Sequence, residues 1–287
     1  MSGRASSAER GSLAARRRLR RRRAFIAACV LSVFAAGAAV YGLWQRPVRI
    51  SRVVVYGADQ SLASVVTAVL RGTYFGIIPR DSAFFVPEND IRARVLSAHP
   101  EIAAVSVFRD GLTGLSVRAD RRVPIARWCG ASRPGIAASA ASSTPAAAAA
   151  EGCYLFDAQG FVYASMDSTS SPQAPSDAAV NPFSVYEAVA TTGSPIGTTL
   201  PHADRFPLAF DFARQLSVFG SPASAVVLRG DEADDYLASG TRITYVLGRE
   251  QDALAALASA HANLDLADGS LEYVDLRFPG KMYVKRK

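Results

Sequence analysis

An uncharged stretch of 21 residues directly follows a run of arginines near the start of the chain, and no other feature restricts the fold as much. It reads AFIAACVLSVFAAGAAVYGLW and occupies residues 24–44. At about 1.5 Å of rise per residue, a helix of this length reaches about 31 Å, which matches the hydrocarbon thickness of a bilayer. Tyr41 and Trp44 lie at its far end, where aromatic side chains favour the membrane–water interface. We therefore expect a transmembrane helix over residues 24–44.

A cleaved signal peptide is the alternative, because Ala36, Gly37 and Ala38 resemble a small-residue cleavage site. The apolar region of a signal peptide normally has about 7–15 residues, so the greater length favours an uncleaved anchor. By the positive-inside rule, the basic tail, residues 1–23, then stays in the cytoplasm and the remainder is exported, giving a single-pass type II protein of the inner (cytoplasmic) membrane. The residues expected to set this topology are Arg16, Arg17, Arg18, Arg20, Arg21, Arg22 and Arg23.

The positive charge of the chain is confined to this tail. The formal net charge is +7, but residues 1–23 alone contain nine arginines and one glutamate and carry +8, so the other 264 residues sum to −1. A nucleic-acid-binding protein carries its cationic surface on the folded part, which here is close to neutral. We therefore expect no nucleic-acid partner, and we expect the tail to lie on the anionic lipid of the bilayer.

Two cysteines, Cys129 and Cys153, fall in the part expected to be exported, where disulfides persist. Between them lie residues 130–152, which are rich in Ala, Ser and Pro and have too few large apolar residues to form a core. A disulfide would clamp the strand-like flanks, VPIARWC and CYLF, around a flexible insertion. A redox or metal-binding pair is the alternative, but the chain offers neither a CxxC spacing nor a nearby histidine.

The exported chain changes its pattern midway. Residues 45–122 contain a β-branched strand, a helix with apolar residues at helical spacing from Leu62 to Leu70, a second helix opened by Pro87, and a hairpin. Residues 123–287 alternate like strands and contain two helical segments. The expected fold class is therefore α+β: one transmembrane helix, a strand-helix-helix-strand-strand domain, and a mixed antiparallel β-sheet domain with two helices.

Catalytic and metal-binding patterns are missing from the sequence. It has no HExxH, GxSxG, P-loop or dinucleotide-binding glycine pattern. The histidines, His99, His202 and His261, are isolated along the chain. The acidic run GDEADDY over residues 230–236 lacks the ligand spacing of an EF-hand, so it is interpreted as a solvated turn rather than a calcium loop. We expect no enzymatic activity, metal, cofactor or small-molecule ligand.

The chain ends on LEYVDLRFPGKMYVKRK, which is typical of a β-hairpin around Pro-Gly. A three-residue loop collects the apolar side chains on one face by pairing Phe278 with Met282 and Asp275 with Lys285, whereas a two-residue loop would place lysines among them. We expect the outer edge of the last strand, residues 281–286, to be left uncovered. Unpaired backbone groups on such an edge invite a partner strand, and the basic end suits an acidic one.

Four stretches resemble the bacterial cell-division protein family FtsQ, called DivIB in some lineages. HPEIAAVSVFRDGLTGLSVRADRRVPIARW resembles the end of the family's POTRA domain and the junction after it, including an Arg-x-Pro-x-Ala step at Arg122, Pro124 and Ala126. YLFDAQGFVY, SGTRITYVLGREQDALAAL and EYVDLRFPGKMYV are similar to successive parts of the family's β domain. The insertion 130–152 and the cysteine pair are not part of the family's general pattern.

The resemblance implies a POTRA domain over residues 45–122, a β domain over residues 123–287, and a non-enzymatic scaffold of the division septum that links early and late division proteins. In the family, the β domain binds the FtsB–FtsL pair of bitopic proteins, which regulate the septal peptidoglycan synthase FtsW–FtsI, and the FtsB contact is strand addition to the last strand. Carried onto this chain, the partner-binding residues are Arg277, Phe278, Lys281, Met282, Tyr283, Val284, Lys285 and Arg286.

Two other functions fit parts of the pattern. A POTRA-bearing component of an envelope export or assembly system is one, although that class usually has several POTRA domains or a membrane barrel. An anchored envelope enzyme is the other, and the missing catalytic set weakens it.

Overall fold

A computed structural model describes residues 6–133, 152–166, 181–189 and 193–287. The chain divides into two compact units, Met1–Asp120 and Arg121–Lys287. It is an α+β protein with one long apolar helix near the N-terminus and one large mixed sheet. Most of the Ala/Ser-rich insertion expected over residues 130–152 lies outside the described residues.

The described part of the chain contains five α-helices, which are α1 (Ser6–Leu43), α2 (Ser61–Leu70), α3 (Glu88–Ala98), α4 (Phe206–Gln215) and α5 (Glu250–Ala260). The strands of the first unit are β1 (Arg52–Tyr56), β2 (Thr73–Tyr74), β3 (Ile78–Pro79), β4 (Ile102–Asp110) and β5 (Gly114–Arg121). Those of the second unit are β6 (Ala126–Trp128), β7 (Tyr154–Phe156), β8 (Val162–Ser165), β9 (Ser184–Glu187), β10 (Ala223–Arg229), β11 (Glu232–Leu237), β12 (Arg242–Val246), β13 (Leu271–Asp275) and β14 (Tyr283–Arg286).

Helix α1 contains the apolar stretch that the sequence places in a membrane. Its segment Arg20–Leu43 is long and apolar enough to cross a bilayer, and none of it is buried within the protein. The helix begins before the expected span, at Ser6, because the basic tail from Ser6 onward is part of the same unbroken helix. Trp44 is the first residue after its end. All seven topology arginines lie on α1, and those at positions 18 and 20–23 are exposed.

The first unit packs α2 and α3 against a three-stranded sheet of order β1-β5-β4. Strand β1 runs parallel to β5, with Val55 opposite Val117. Leu62, Val66 and Leu70 are buried on α2 because positions four apart share one helical face. The element order is strand, helix, helix, strand, strand. A short hairpin, β2–β3, lies between the two helices and was not predicted.

The second unit is a nine-stranded sheet of order β14-β13-β12-β11-β10-β9-β6-β7-β8. Helices α4 and α5 contribute to its core, where Phe206 stacks on Phe210 with ring centroids 5.1 Å apart and Phe212 contacts Tyr245. The inner strand β9 was not predicted from the sequence; it runs parallel to both β6 and β10 and joins strands β6–β8 to the rest of the sheet. Its alternating segment SVYE has only four residues, too few for a clear period.

Cys129 and Cys153 form a disulfide. Cys129 directly follows β6 and Cys153 directly precedes β7, and these strands pair antiparallel with Trp128 opposite Tyr154. The bridge therefore closes the chain where the two strands meet the insertion.

The acidic run at residues 230–236 is not the expected solvated turn. Its residues from Glu232 onward form β11, which pairs with β10 on one side and β12 on the other. Asp234 and Asp235 are buried, Asp234 bonded to Arg229 and Thr244. The prediction was wrong because charge was taken to mean exposure, whereas Asp235 lies opposite Val226 and Ile243 and so shares the face of the sheet that packs into the core.

Candidate functional site

In the sheet of the second unit, the edge strand β14 has backbone groups left open to a partner. It pairs antiparallel with β13, and no strand in the described residues pairs with its other side. Because hydrogen-bonded pairs alternate along an antiparallel ladder, alternate residues of Tyr283–Arg286 turn their backbone N–H and C=O groups outward. All four residues of the strand are exposed. This edge can therefore accept another strand.

The opposite edge of the sheet is covered where β8 begins. Strand β8 lies beside residues 197–200, and the N–H of Val162 donates to the carbonyl of Thr198 at 2.9 Å, while the N–H of Gly197 donates to the carbonyl of Val162 at 2.8 Å. Phe161 also bridges to Thr199. The two ends of the sheet thus differ in what they offer to a partner strand.

The register of the closing hairpin differs from the expected one. Asp275 lies opposite Tyr283 and Val274 opposite Val284, so Phe278 does not pair with Met282 and Asp275 does not pair with Lys285. The connecting loop is residues 276–282, longer than the three residues expected. Lys281 and Met282 belong to that loop rather than to the last strand.

The loop is long because its first two residues, Leu276 and Arg277, bond to other strands and not to β14. The N–H of Leu276 donates to the carbonyl of Thr244 at 2.8 Å, so the chain stays bonded to β12 for one residue beyond the end of β13. Arg277 then folds back on Asp275, with its Nη2 2.7 Å from Oδ2, and its Nη1 reaches Glu232 at 2.9 Å. These hydrogen bonds lower the pKa of Asp275 and raise that of Arg277. Arg277 therefore fixes the loop within its own domain.

Two aromatic side chains stand at the start of the edge. Phe278 and Tyr283 meet edge to face with ring centroids 5.5 Å apart, and about half of each side chain is exposed. Met282 packs partly against the core, whereas Val284 is exposed on β14. Aromatic and apolar side chains beside free backbone groups provide contact area for a strand that adds to the edge.

The edge strand and the loop before it also carry cationic side chains. Lys281, Lys285 and Arg286 are exposed, and Lys285 forms an ion pair with Glu272 at 2.7 Å, which raises the pKa of the lysine. These cations oppose pairing with a like-charged edge, including that of a second copy of this chain. They favour a partner that carries carboxylates.

A groove lies beside the edge. It has a volume of about 490 Å³ and is bounded by the loop 276–282 on one side and by a face of α5 on the other. The α5 face has the small side chains Ala255, Ala256, Ser259 and Ala260 together with Asp252. The groove therefore adjoins the loop that leads into β14, up to Met282, and no residue of β14 itself lines it.

The three histidines lie apart from one another in the fold. His99 contacts Glu101, His202 contacts the buried Glu187, and His261 packs edge to face against Phe219. Burial raises the pKa of Glu187. Among the described residues, no group of three or more His, Cys, Asp or Glu side chains could hold a metal ion.

Asp157 holds together the turn that follows β7. Its carboxylate accepts hydrogen bonds from the N–H groups of Gln159 and Phe161 and pairs with Arg122, whose guanidinium lies 4.0 Å from the ring centroid of Phe161. The arginine of the Arg-x-Pro-x-Ala step and the aspartate of YLFDAQGFVY therefore form one contact within the second unit. Nothing in either motif alone indicated this pairing.

No protein-family model matches the chain, and the search of curated proteins found no match.

Proposed function

We propose that this protein is a membrane-anchored, non-enzymatic scaffold of bacterial cell division, of the FtsQ/DivIB type. In this proposal, α1 anchors the chain with its N-terminus in the cytoplasm, the first unit is a POTRA domain, and the second unit is the family's β domain. The partner is an FtsB–FtsL-like pair of bitopic proteins, acting at the septum on an FtsW–FtsI synthase.

The exposed edge of β14 is the observation that carries the proposal. It combines outward backbone groups, cationic side chains and an adjacent groove, which together suit strand addition by an acidic segment. At the opposite edge, residues 197–199 lie across the start of β8 and bond to Phe161 and Val162, so less of that edge is open in the described residues. The element order of the first unit and its parallel β1–β5 pair are in line with a POTRA domain.

Photo-crosslinking in the cell tests the contact. A benzophenone amino acid replaces Tyr283 on β14, and a matched variant carries it at Met166, which is exposed just after β8. The proposal predicts a crosslink to an FtsB–FtsL-like protein from position 283 and none from position 166. Equal crosslinks from both positions, or none from position 283 with the protein present in the membrane, would count against it.

Localisation separates the proposal from an envelope export or assembly component. A fluorescent fusion to the N-terminus is expected to form a band at mid-cell. A uniform envelope signal in dividing cells would favour the export component instead.

A further inference from the structure

The hairpin β2–β3 in the first unit presents large apolar side chains to solvent. Its loop is Phe75-Gly76-Ile77, where Phe75 is 97% exposed and Ile77 is 54% exposed. Two more exposed aromatics, Phe84 and Phe85, follow shortly after the hairpin. Scattered apolar residues are common on surfaces, but four large ones within eleven residues form a local patch.

Phe75 also has an unfavourable backbone. Its φ of +51° lies in the left-handed region, and in the described part of the chain no other residue except glycine has a positive φ. A bulky side chain there is disfavoured by contact with its own backbone. The fold gains nothing from a phenylalanine that is both strained and surrounded by water. A contact outside the fold accounts for it better.

The hairpin is tied to the point where the chain leaves α1. Trp44 directly follows the helix, and its Nε1 donates to the carbonyl of Ile77 at 2.9 Å. A tryptophan at the end of a membrane span lies at the level of the lipid headgroups. Its bond to Ile77 therefore places the hairpin loop at that level.

A second set of contacts fixes the segment that follows the hairpin. The N–H of Ala83 donates to the carbonyl of Val48 at 2.9 Å, and the N–H of Ile50 donates to the carbonyl of Asp81 at 2.7 Å. Arg49 forms an ion pair with Asp81 at 2.6 Å. The residues just after the helix are thus bonded to the chain on the far side of the hairpin, so the hairpin cannot swing freely away from the end of the helix.

We infer that the β2–β3 hairpin inserts Phe75 and Ile77 into the interfacial layer of the bilayer that α1 crosses. The inference rests on the membrane anchor of the proposed function. Lipid is the occupant favoured here because the apolar loop is bonded to the residue that ends the span, and the exposed cations Arg46 and Arg71 lie in the same part of the chain, where they suit headgroup phosphates. The hairpin then acts as a second membrane contact that holds the first unit against the bilayer.

Depth-dependent fluorescence quenching tests the inference on the full chain, in vesicles of phosphatidylethanolamine and phosphatidylglycerol. A Cys29→Ala background receives Phe75→Cys, labelled with an environment-sensitive nitrobenzoxadiazole dye. Tyr56→Cys is the matched control. Tyr56 is also an exposed aromatic residue, and it lies at the end of β1 that is farther along the chain from α1. With a spin label near the headgroup end of the acyl chain, we expect at least threefold stronger quenching at position 75 than at position 56.

A third labelled variant, Phe34→Cys, separates this inference from the anchor itself. Phe34 lies inside the apolar segment of α1, so a spin label deep in the acyl chain should quench a dye attached at position 34. Quenching at position 34 without quenching at position 75 would overturn the hairpin inference and leave the anchor standing. No quenching at position 34 would overturn the anchor and the hairpin together.

A second measurement tests whether a charged residue in the hairpin loop weakens the quenching by lipid spin labels. In a variant labelled at Ile77→Cys, the additional change Phe75→Asp is expected to reduce quenching at least twofold, because a carboxylate is disfavoured below the headgroups. Unchanged quenching would contradict insertion. A dye at position 75 that is shielded from aqueous iodide but not quenched by lipid would point to a protein partner and would also overturn the proposal.

Discussion

Arg277 holds Asp275 by two parallel contacts, with Nε 3.0 Å from Oδ1 and Nη2 2.7 Å from Oδ2. This pair lies at the point where β13 ends and the loop to β14 begins, and its third contact reaches Glu232 on β11. A planar guanidinium that bonds two oxygens at once fixes direction as well as distance. The position of the last strand therefore depends on one arginine that precedes it.

Replacing Arg277 should loosen this corner. We expect Arg277→Ala to lower the free energy of unfolding by about 1 kcal/mol, a hydrogen-bonded ion-pair effect reduced by solvent screening because the arginine is partly exposed. Arg277→Lys should restore only part of the loss, since an ammonium cannot make the paired contact. Urea unfolding of the full chain in detergent, followed by near-ultraviolet circular dichroism, measures it.

Arg249→Ala is the matched control for that variant. Arg249 pairs with Asp252 one turn along the exposed side of α5, so its removal should cost less than about 0.5 kcal/mol. Equal effects of the two substitutions would show that the Arg277 contact has no special role.

The same ion pair gives a pH dependence with a defined sign. Hydrogen bonding to Arg277 lowers the pKa of Asp275 in the folded protein, so its contribution is present above the unfolded value of about 3.9 and is lost as pH falls through the lowered folded value. The difference in stability between the wild type and Arg277→Ala should therefore shrink below about pH 4. A difference that stays constant into that range would contradict the pairing.

Asp235 predicts a pH dependence of opposite sign. It is fully buried on β11, and neither carboxyl oxygen has a hydrogen-bond partner among the described residues. Burial raises its pKa well above the usual range, and the nearby carboxyls of Asp234 and Glu250 raise it further. Because the folded pKa lies above the unfolded one, stability is greatest below the unfolded value and falls as pH rises through the folded value.

We expect Asp235→Asn to remove that slope and to stabilise the protein by about 1 kcal/mol or more at pH 8, since it removes the cost of a buried charge. Asp234→Asn is the control and should destabilise, because Asp234 already pairs with Arg229. Thermal melting between pH 5 and 9 provides the comparison. Parallel curves for the wild type and Asp235→Asn would contradict the account.

The disulfide should contribute to the stability of the second unit. The double variant Cys129→Ser with Cys153→Ser opens a loop of 24 residues' separation and should lose about 3 kcal/mol on loop-closure grounds. The free Cys29, exposed on α1, is the control, and Cys29→Ser should leave the unfolding midpoint unchanged. Urea unfolding with and without reductant measures both. A midpoint insensitive to the double change would contradict a structural bridge.

The sequence predicted elements wherever local spacing carried the information. The apolar spacing of α2 and the Pro87 start of α3 each depend on residues within a few positions, and the structure has both helices.

The predictions were wrong where contacts between residues far apart in the sequence determine the structure. The register of the closing hairpin is set by Leu276 bonding to Thr244 and by Arg277 bonding to Glu232, contacts across 32 and 45 positions of sequence that no local pattern contains. The burial of Asp235 likewise depends on distant residues, because it shares the core face of the sheet with Val226 on β10 and Ile243 on β12. At the candidate site, the basic residues were visible in the sequence, whereas the groove formed with α5 was not.

Strand addition to β14 is the central claim, and proline substitution tests it most directly. Proline removes a backbone N–H, and it is tolerated on an edge strand where that N–H points outward. Because bonding alternates along β14, one of Val284→Pro and Lys285→Pro removes an outward N–H while the ladder to β13 stays intact. Binding of the full chain in nanodiscs to an FtsB–FtsL-like pair is measured for each variant, alongside its melting temperature.

The account predicts that the variant at the outward position keeps the wild-type melting temperature and binds at least about tenfold more weakly, the loss expected for about one backbone hydrogen bond with its neighbouring contacts. Binding within twofold of the wild type by a variant that keeps the wild-type melting temperature would contradict strand addition at this edge.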